Sequence, residues 1–337
     1  MTVSLPLLPL GPPLPRSVYI ETTSRCNSLC KTCLLTFTDG GREGNKDLSW
    51  DEFRRIVDQL PVLERVVLHG IGEPLLNRHL TRMISHCKER GASVLFNTNA
   101  ITLSPAKGEE LIASGLDELR VSLDAATPAT YARIRGVDVL PKVLGNLEAL
   151  ASIKARLGAE RPRVSLWFTA LRENLRELPA LVPIAFKVGA SSLHLQRLVF
   201  NGMGMAVAEQ SLFRRLQEEE EALIREATEA ARAGGVEFSA SGATAPEVSL
   251  AGRDGERPWS ACRRPWSLVY VTVHGNVLPC CIAPWVADPY DRIVLGNLLQ
   301  EPLEAIWSGE RYREFRRAIQ TWLPPQPCQG CGVEWSL

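Results

Sequence analysis

Six short apolar stretches, separated by amphipathic segments, constrain the fold of this 337-residue chain more than any other feature. They are rich in Val, Leu and Ile and almost continuously apolar, which is typical of strands buried on both faces of a parallel sheet. Helical periodicity follows each stretch, and the first of these helices has Ser49 as its candidate N-cap. The predicted strands are residues 17–22, 65–70, 93–98, 118–124, 163–169 and 192–199.

Six βα repeats predict an α/β fold with right-handed crossovers, in which the helices lie outside the sheet. Six strands are too few for a closed eight-stranded barrel, so we expect an open, partial (β/α)6 barrel of the TIM type. In such folds the functional site lies at the carboxyl ends of the strands. A further, strongly charged helix is predicted over residues 206–233.

Shifts in composition divide the chain into four predicted segments. These are a proline-rich leader (1–15), a core domain (16–235), a linker (236–258) and a small C-terminal unit (259–337). Within the last segment, "WSLVYVTVHGNVLPCCI" predicts a β-hairpin and "PLEAIWSGERYREFRRAI" an amphipathic helix. A unit this small buries little core, and such units are often stabilised by metal.

Charge and composition argue against several classes of protein. Lys and Arg together number 38, as do Asp and Glu, so there is no basic excess to suggest nucleic acid as a partner. The apolar N-terminus lacks a basic start and is interrupted by prolines, so it predicts neither a signal peptide nor a membrane span. We therefore expect a cytoplasmic protein without a membrane partner, whose nine cysteines do not form a disulfide framework.

Three of the cysteines, Cys26, Cys30 and Cys33, lie within eight residues directly after the first predicted strand. Such short loop spacings let thiolates converge on one soft metal centre. A structural zinc site normally has four ligands, and the next cysteine, Cys87, lies far away in a predicted helix. Three ligands on a four-iron cluster would leave one iron open to an external ligand.

This C-x3-C-x2-C spacing resembles the signature of the radical S-adenosylmethionine (SAM) superfamily. The resemblance implies a 4Fe-4S cluster on the three cysteines, whose open iron binds SAM and whose electron cleaves it to a 5′-deoxyadenosyl radical. A second segment, "GIGEP", is similar to the family's G-G-E-P motif, which implies contact with the amino group of SAM. The residues that match this motif are Gly70, Gly72, Glu73 and Pro74.

Further segments, which follow the third, fourth and fifth predicted strands, also resemble motifs of the family. They are "NTNA" with Asn99, "VSLDAATPATYARIRG" with Ser122 and Asp124, and "FTALRENLREL" with Asn174. The resemblance implies that these polar side chains face the cofactor or the substrate. Thr32 stands where many members have an aromatic residue near the adenine, so the adenine contact must come from elsewhere.

A second group of cysteines lies near the end of the chain. The stretch from Cys262 to Cys280 resembles the opening of SPASM and twitch domains, which hold auxiliary clusters, and Cys328 and Cys331 complete a set of four ligands for a second 4Fe-4S cluster. The extra cysteines of a full SPASM domain are missing, so one auxiliary cluster is expected, with zinc as the alternative metal. Cys281 follows Cys280 on a predicted strand, so it should face the opposite side and pack there, with a substitute ligand or a redox-active thiol as the alternatives.

The resemblance implies a radical SAM enzyme of the oxidoreductase or lyase type, but says little about the substrate. A single auxiliary cluster and the lack of an N-terminal peptide-recognition domain favour a small polar substrate, resembling a sugar, aminocyclitol or nucleoside. It would be oxidised, decarboxylated or epimerised, with Asp124, Arg135 and Arg197 as candidate catalytic residues. The alternatives are a peptide- or protein-modifying maturase and, from another class, a non-catalytic iron-sulfur electron carrier. A flavodoxin or ferredoxin is the expected electron donor.

Overall fold

The structure is a computed structural model that describes residues 8–38, 43–199, 201–241, 245–249, 259, 262–285 and 290–329. Within these ranges the chain forms a ten-stranded sheet with the order β10-β9-β8-β1-β2-β3-β4-β5-β6-β7. The strands are β1 Ser17–Ile20, β2 Arg65–Val67, β3 Ser93–Thr98, β4 Glu118–Ser122, β5 Arg163–Ala170, β6 Ser192–Arg197, β7 Glu237–Ala240, β8 Leu268–Val271, β9 Asn276–Leu278 and β10 Gly296–Asn297.

Helices follow the strands of the core in the predicted alternation. Those of the core are α1 Trp50–Val57, α2 Leu80–Glu89, α3 Pro105–Ala113, α4 Pro128–Arg135, α5 Leu140–Leu157, α6 Leu178–Lys187, α7 Glu218–Gly234 and α8 Pro246–Ser249. The C-terminal unit has α9 Arg264–Ser267, α10 Leu303–Trp307, α11 Glu310–Ile319 and α12 Gln326–Gln329. Local signals set several of the boundaries: Ser49 forms a capping box with Glu52 at α1, as predicted, and Gly136 ends α4 in the left-handed conformation.

Strands β1 to β7 run parallel, each hydrogen-bonded to the next in the chain. Their apolar side chains are buried against the helices in one hydrophobic core that includes Val18, Val66, Val94, Val121 and Leu166. The predicted α/β fold with a partial barrel of parallel strands is therefore confirmed. None of the helices in the described residues combines the length and apolarity needed to cross a bilayer.

The C-terminal unit continues the core sheet. β8 pairs in parallel with the free side of β1 over the register Ser17↔Leu268 to Ile20↔Val271. β8 and β9 then form the predicted antiparallel hairpin, and β10 pairs antiparallel with β9. The strand that leads into the first cysteine group is thus bonded directly to the unit that contains the second.

Two segments differ from the prediction. The charged helix predicted over 206–233 begins only at Glu218, where Gln217 forms a capping box with Glu220. The segment before it is a loop in which the carbonyl of Gln210 accepts from the N–H of Arg172 (3.0 Å) after β5. Residues 237–240, which the sequence placed in a linker, form β7 and pair with β6. Apolar periodicity does not register either contact, since both depend on distant parts of the chain.

The described part of the proline-rich leader packs on the C-terminal unit. The indole N–H of Trp307 donates to the carbonyl of Pro13 (2.9 Å), and the buried guanidinium of Arg316 donates to the carbonyl of Leu10 (3.0 Å). Each of these side-chain donors thus satisfies a backbone carbonyl of the leader.

Candidate active site

The loop that holds Cys26, Cys30 and Cys33 begins at the carboxyl end of β1, and all three side chains are half-buried. The end of α4 fixes this loop: the N–H of Leu29 donates to the carbonyl of Arg135 (3.1 Å). A side chain at Gly136 could not fit, since its Cβ would lie 2.3 Å from the carbonyl oxygen of Leu29. The C-terminal end of the helix that follows β4 therefore positions the cysteine loop after β1.

The thiols of this loop lie close enough to influence one another. Burial raises the pKa of Cys33 to about 12, and the charges of Cys30 and Cys26 add to the effect. Burial also raises the pKa of Cys26 to about 11. Both thiols would therefore stay protonated at neutral pH until a metal centre binds and displaces their protons.

The donor set fits an iron-sulfur cluster. Each thiolate of a four-iron cluster binds a different iron atom, so its sulfurs need not converge on one point. Three cysteines on one short loop match that requirement.

The glycines of the "GIGEP" segment make room for the chain that continues from β1. A Cβ at Gly70 would lie 2.2 Å from Cγ of Glu21, and one at Gly72 would lie 2.1 Å from the carbonyl oxygen of Thr23. Pro74 then begins a short 3-10 turn. Both positions therefore require glycine because the segment after β1 packs against their backbone: the Glu21 side chain at Gly70 and the Thr23 carbonyl at Gly72.

Glu73 connects the "GIGEP" segment to the end of β3. Its buried carboxylate accepts hydrogen bonds from Thr98 Oγ1 (2.6 Å) and from the backbone N–H of Asn99 (2.7 Å). Burial nevertheless raises the pKa of Glu73 above its ordinary value. The Asn99 amide in turn donates to Asn27 Oδ1 (2.7 Å) and approaches Cys26 Sγ (3.9 Å), so the structure brings Glu73 and Asn99 to the cysteine loop.

Asp124 and Arg135 form a buried ion pair beside the same loop, with 2.8 Å between Oδ2 and Nη2. The guanidinium also reaches Cys30, at 3.5 Å between Nη1 and Sγ, and Asp124 accepts a bond from the N–H of Thr169. Burial disfavours the charged guanidinium, but Asp124 and Cys30 together raise the pKa of Arg135. Ser122 lies half-buried at the end of β4, two residues before this pair.

Two other predicted site residues, Asn174 and Arg197, have contacts with neighbouring loops. Asn174 is fully buried, and its amide donates to the carbonyls of Asp124 and Thr169 at 2.9 Å each. Arg197 is buried at the end of β6, and its Nε donates to Ser249 Oγ (3.0 Å) on α8. The contacts described for these two residues hold the loops in place rather than reach the cysteine loop.

Three of the four predicted ligands of the auxiliary cluster are described. Cys262 and Cys328 are buried in the same hydrophobic core, and Cys280 follows β9 and packs in the cluster around Tyr270. Cys331 lies outside the described residues. Of the described ligands, Cys262 thus precedes α9, Cys280 follows β9, and Cys328 lies in α12 after α11.

Cys281 differs from its predicted placement. β9 ends at Leu278, so Cys280 and Cys281 lie in a turn and do not alternate across a strand. The guanidinium of Arg264 donates to Cys281 Sγ (2.6 Å). Burial disfavours the charge of Arg264, but Cys281 and Cys280 raise the pKa of this group, which places a cation among the thiols.

Sequence reasoning missed Glu21 and its partner Tyr270. Glu21 follows β1 directly and is 2% exposed, and the hydroxyl of Tyr270 on β8 donates to its Oε1 (2.5 Å). A carboxylate at the end of an otherwise apolar stretch, "SVYIET", was the available signal, because an acidic residue is almost never buried without a specific partner.

Comparisons with known proteins cover nearly the whole chain. An AdoMet-dependent heme synthase of Methanosarcina barkeri is 26% identical over 333 residues, which cover 95% of this chain and 88% of the relative. A PqqA peptide cyclase of Xanthomonas campestris is 25% identical over 335 residues, which cover 96% of this chain and 81% of the relative. The crystal structure of SuiB from Streptococcus suis bound to precursor peptide SuiA shares the fold, with a TM-score of 0.69, 16% identity, and coverage of 96% of this chain and 71% of SuiB.

Two family patterns match the two cysteine-containing regions. The pattern of the radical SAM superfamily matches residues 20–156, which include the first cysteine group and the "GIGEP" segment. The pattern of the SPASM iron-sulfur cluster-binding domain matches residues 262–332, which include the second group. The cofactors of the protein are accordingly SAM, its 4Fe-4S cluster and auxiliary iron-sulfur chemistry. The chain belongs to the radical SAM superfamily and has a C-terminal SPASM domain.

Proposed function

We propose that this protein is a radical SAM enzyme that modifies a peptide. The observation that supports a peptide substrate is the similarity to PqqA peptide cyclases, which extends over 96% of this chain. The related fold of SuiB, which was crystallised with a precursor peptide, is consistent with it. Oxidation, thioether formation and epimerisation remain the reaction types proposed.

The small polar substrate expected from the sequence is wrong. That expectation depended on the number of auxiliary clusters and on the lack of an added N-terminal domain, and neither feature separates the two substrate classes. A PqqA peptide cyclase is similar over 96% of this chain, and peptide-bound SuiB has the same fold. The alternative considered with that expectation, a peptide-modifying maturase, is the better interpretation.

The cysteines divide between two proposed clusters. Cys26, Cys30 and Cys33 would hold the SAM-binding 4Fe-4S cluster, because they share one loop and their thiols influence one another. The proposed ligands of the auxiliary cluster are Cys262, Cys280, Cys328 and Cys331. When bound, the first cluster supplies the electron that cleaves SAM, and an electron donor of the flavodoxin or ferredoxin type would reduce it.

The remaining predicted residues are assigned by position. Asn99 lies next to Cys26, and the Asp124–Arg135 pair lies next to Cys30, so these three are proposed to contact SAM or the substrate. The same proposal for the residues of the "GIGEP" segment and for Ser122 is supported by their place at the carboxyl edge of the sheet. The roles of Asn174 and Arg197 stay predictions, since their described contacts are made to neighbouring loops.

The test is anaerobic turnover by the full chain with reconstituted clusters, SAM and dithionite. The probes are the peptides encoded by short reading frames beside this gene, with an iron porphyrin as the comparison because one relative is named a heme synthase. We expect a mass change in one of the peptides together with 5′-deoxyadenosine. A changed porphyrin and unchanged peptides would contradict the proposal.

Iron content provides the matched control for the two clusters. The wild type should bind about eight iron atoms per chain and Cys33→Ala about four. Cys87→Ala removes a cysteine buried in the core on α2, so it should retain about eight. Equal iron loss in both variants would contradict the assignment of the first cluster.

A further inference from the structure

A small cleft opens at the carboxyl edge of the sheet, between the two cysteine-containing regions. It is lined by Glu21 and Leu34 from the cysteine loop, by Ile71 of the "GIGEP" segment, and by Thr272 and Tyr290 of the C-terminal unit. Its volume is about 20 Å³, which is room for one water molecule. A substrate group at the mouth of this cleft would therefore lie close to the Glu21 carboxylate that lines it.

Glu21 is held rigidly in the cleft wall by the C-terminal unit. Its Oε1 accepts from the hydroxyl of Tyr270 (2.5 Å), and its Oε2 accepts from the N–H of Val273 (3.2 Å). Gly70 leaves the space that its side chain fills. Three separate elements thus fix the direction of one carboxylate.

The surroundings of Glu21 favour proton uptake. Burial raises the pKa of Glu21 from 4.5 to about 7; the bonds from Tyr270 and Val273 oppose this shift, and the charge of Glu43 adds to it. Tyr290 is the other ionisable group that interacts with it. A base with a pKa near neutrality is well matched to proton transfer in an active site.

Two other buried carboxylates at this edge, Glu73 and Asp124, are bonded to different partners. Glu73 accepts hydrogen bonds from the end of β3, and Asp124 is paired with Arg135. Neither is among the residues that line the cleft.

We propose that Glu21 is the proton acceptor for the peptide substrate, an inference that rests on the proposed function. An O–H, N–H or S–H bond of the peptide breaks, its electron pair stays on the heteroatom, and the proton forms a new O–H bond on the Glu21 carboxylate. Tyr270 is a positioning residue, because it acts on the peptide only through the carboxylate whose direction and basicity it sets.

The first test needs no substrate. Infrared spectra of protein labelled with ¹³C-glutamate should show a protonated carboxyl band that disappears as the pH rises through about 7. The band should be absent in Glu21→Gln and should titrate at higher pH in Tyr270→Phe, because the tyrosine hydroxyl stabilises the carboxylate. Glu64→Gln, which changes an exposed carboxylate paired with Arg16, should leave the band in place.

The second test uses the peptide identified by turnover of the wild type. Modified peptide formed per 5′-deoxyadenosine should fall about 100-fold or more in Glu21→Gln. In the wild type this ratio should rise with pH through about 7, and in Tyr270→Phe the rise should move to higher pH. A wild-type ratio and pH profile in Glu21→Gln would overturn the proposal, as would a Glu21 band that titrates below pH 5. If no peptide is modified, the proposed function fails, and the infrared titration still reports separately on Glu21.

Discussion

The Arg135 guanidinium joins the Asp124 carboxylate to the thiol of Cys30, at 2.8 Å and 3.5 Å respectively. One arginine at the end of α4 therefore contacts both a strand-end carboxylate and the cysteine loop. Because Asp124 and Arg135 are both buried, a change to either one should be measurable.

Asp124→Asn should reduce the free energy of unfolding by about 3–5 kcal/mol, because it leaves a buried guanidinium without its counter-charge. Anaerobic urea unfolding measures the loss. As a control, Glu64→Gln breaks the exposed pair with Arg16 and should cost no more than about 1 kcal/mol. Equal unfolding midpoints for the two variants would show that the buried pair contributes little.

Arg135→Gln should lower the reduction potential of the core cluster. The loss of a positive charge and of an N–H directed at a cysteine sulfur makes the added electron less stable. Electron paramagnetic resonance during a redox titration measures the potential. Arg133 is a half-exposed arginine on the same helix as Arg135 and is paired with Glu173. Arg133→Gln should leave the reduction potential unchanged, and an equal shift in both variants would contradict a specific contact of Arg135 with the cysteine loop.

Gly72→Ala should destabilise the protein by about 1–3 kcal/mol and weaken SAM binding, because its methyl group would lie 2.1 Å from the carbonyl oxygen of Thr23. Gly145→Ala on α5 is the matched control. Its methyl group meets no atom within 4 Å, and alanine in a helix interior is favoured over glycine by about 0.5–1 kcal/mol. Unfolding and equilibrium dialysis with SAM measure both effects; wild-type SAM affinity in Gly72→Ala would contradict this account.

Glu21→Gln should change how stability depends on pH. A carboxyl whose pKa is raised to about 7 in the folded state stabilises the fold fully below pH 4.5, and this stabilisation is lost as the pH rises through about 7. The unfolding free energy of Glu21→Gln relative to wild type should therefore increase by roughly 3 kcal/mol between pH 4.5 and 8. Parallel stability curves would mean that Glu21 titrates normally, and Glu64→Gln should give such parallel curves.

The sequence predicted those parts of the fold that local signals determine. Apolar stretches located the six core strands, Ser49 located the start of α1, and the spacing of the cysteines located the loop after β1. Each of these signals lies within a few residues of the feature it marks. For that reason they can be interpreted without knowledge of the rest of the chain.

Other features depend on contacts between distant segments. The segment before α7 is a loop that bonds to Arg172 through Gln210, and Glu21 acquires its environment from Tyr270, 249 residues away. The substrate class was wrong for a related reason, because the cysteines specify how a radical is formed and not what it acts on. Residue types and spacing do not contain that information.

The parallel pairing of β1 with β8 has a consequence for how such a protein can evolve or be engineered. The C-terminal unit is not joined to the core by the chain alone, since its first strand forms backbone hydrogen bonds with β1 of the core sheet. Cutting it away would expose a bare strand edge beside the cysteine loop. A chimaera that exchanges this unit between relatives must therefore match the register of four residue pairs, from Ser17↔Leu268 to Ile20↔Val271, before any question of chemistry arises.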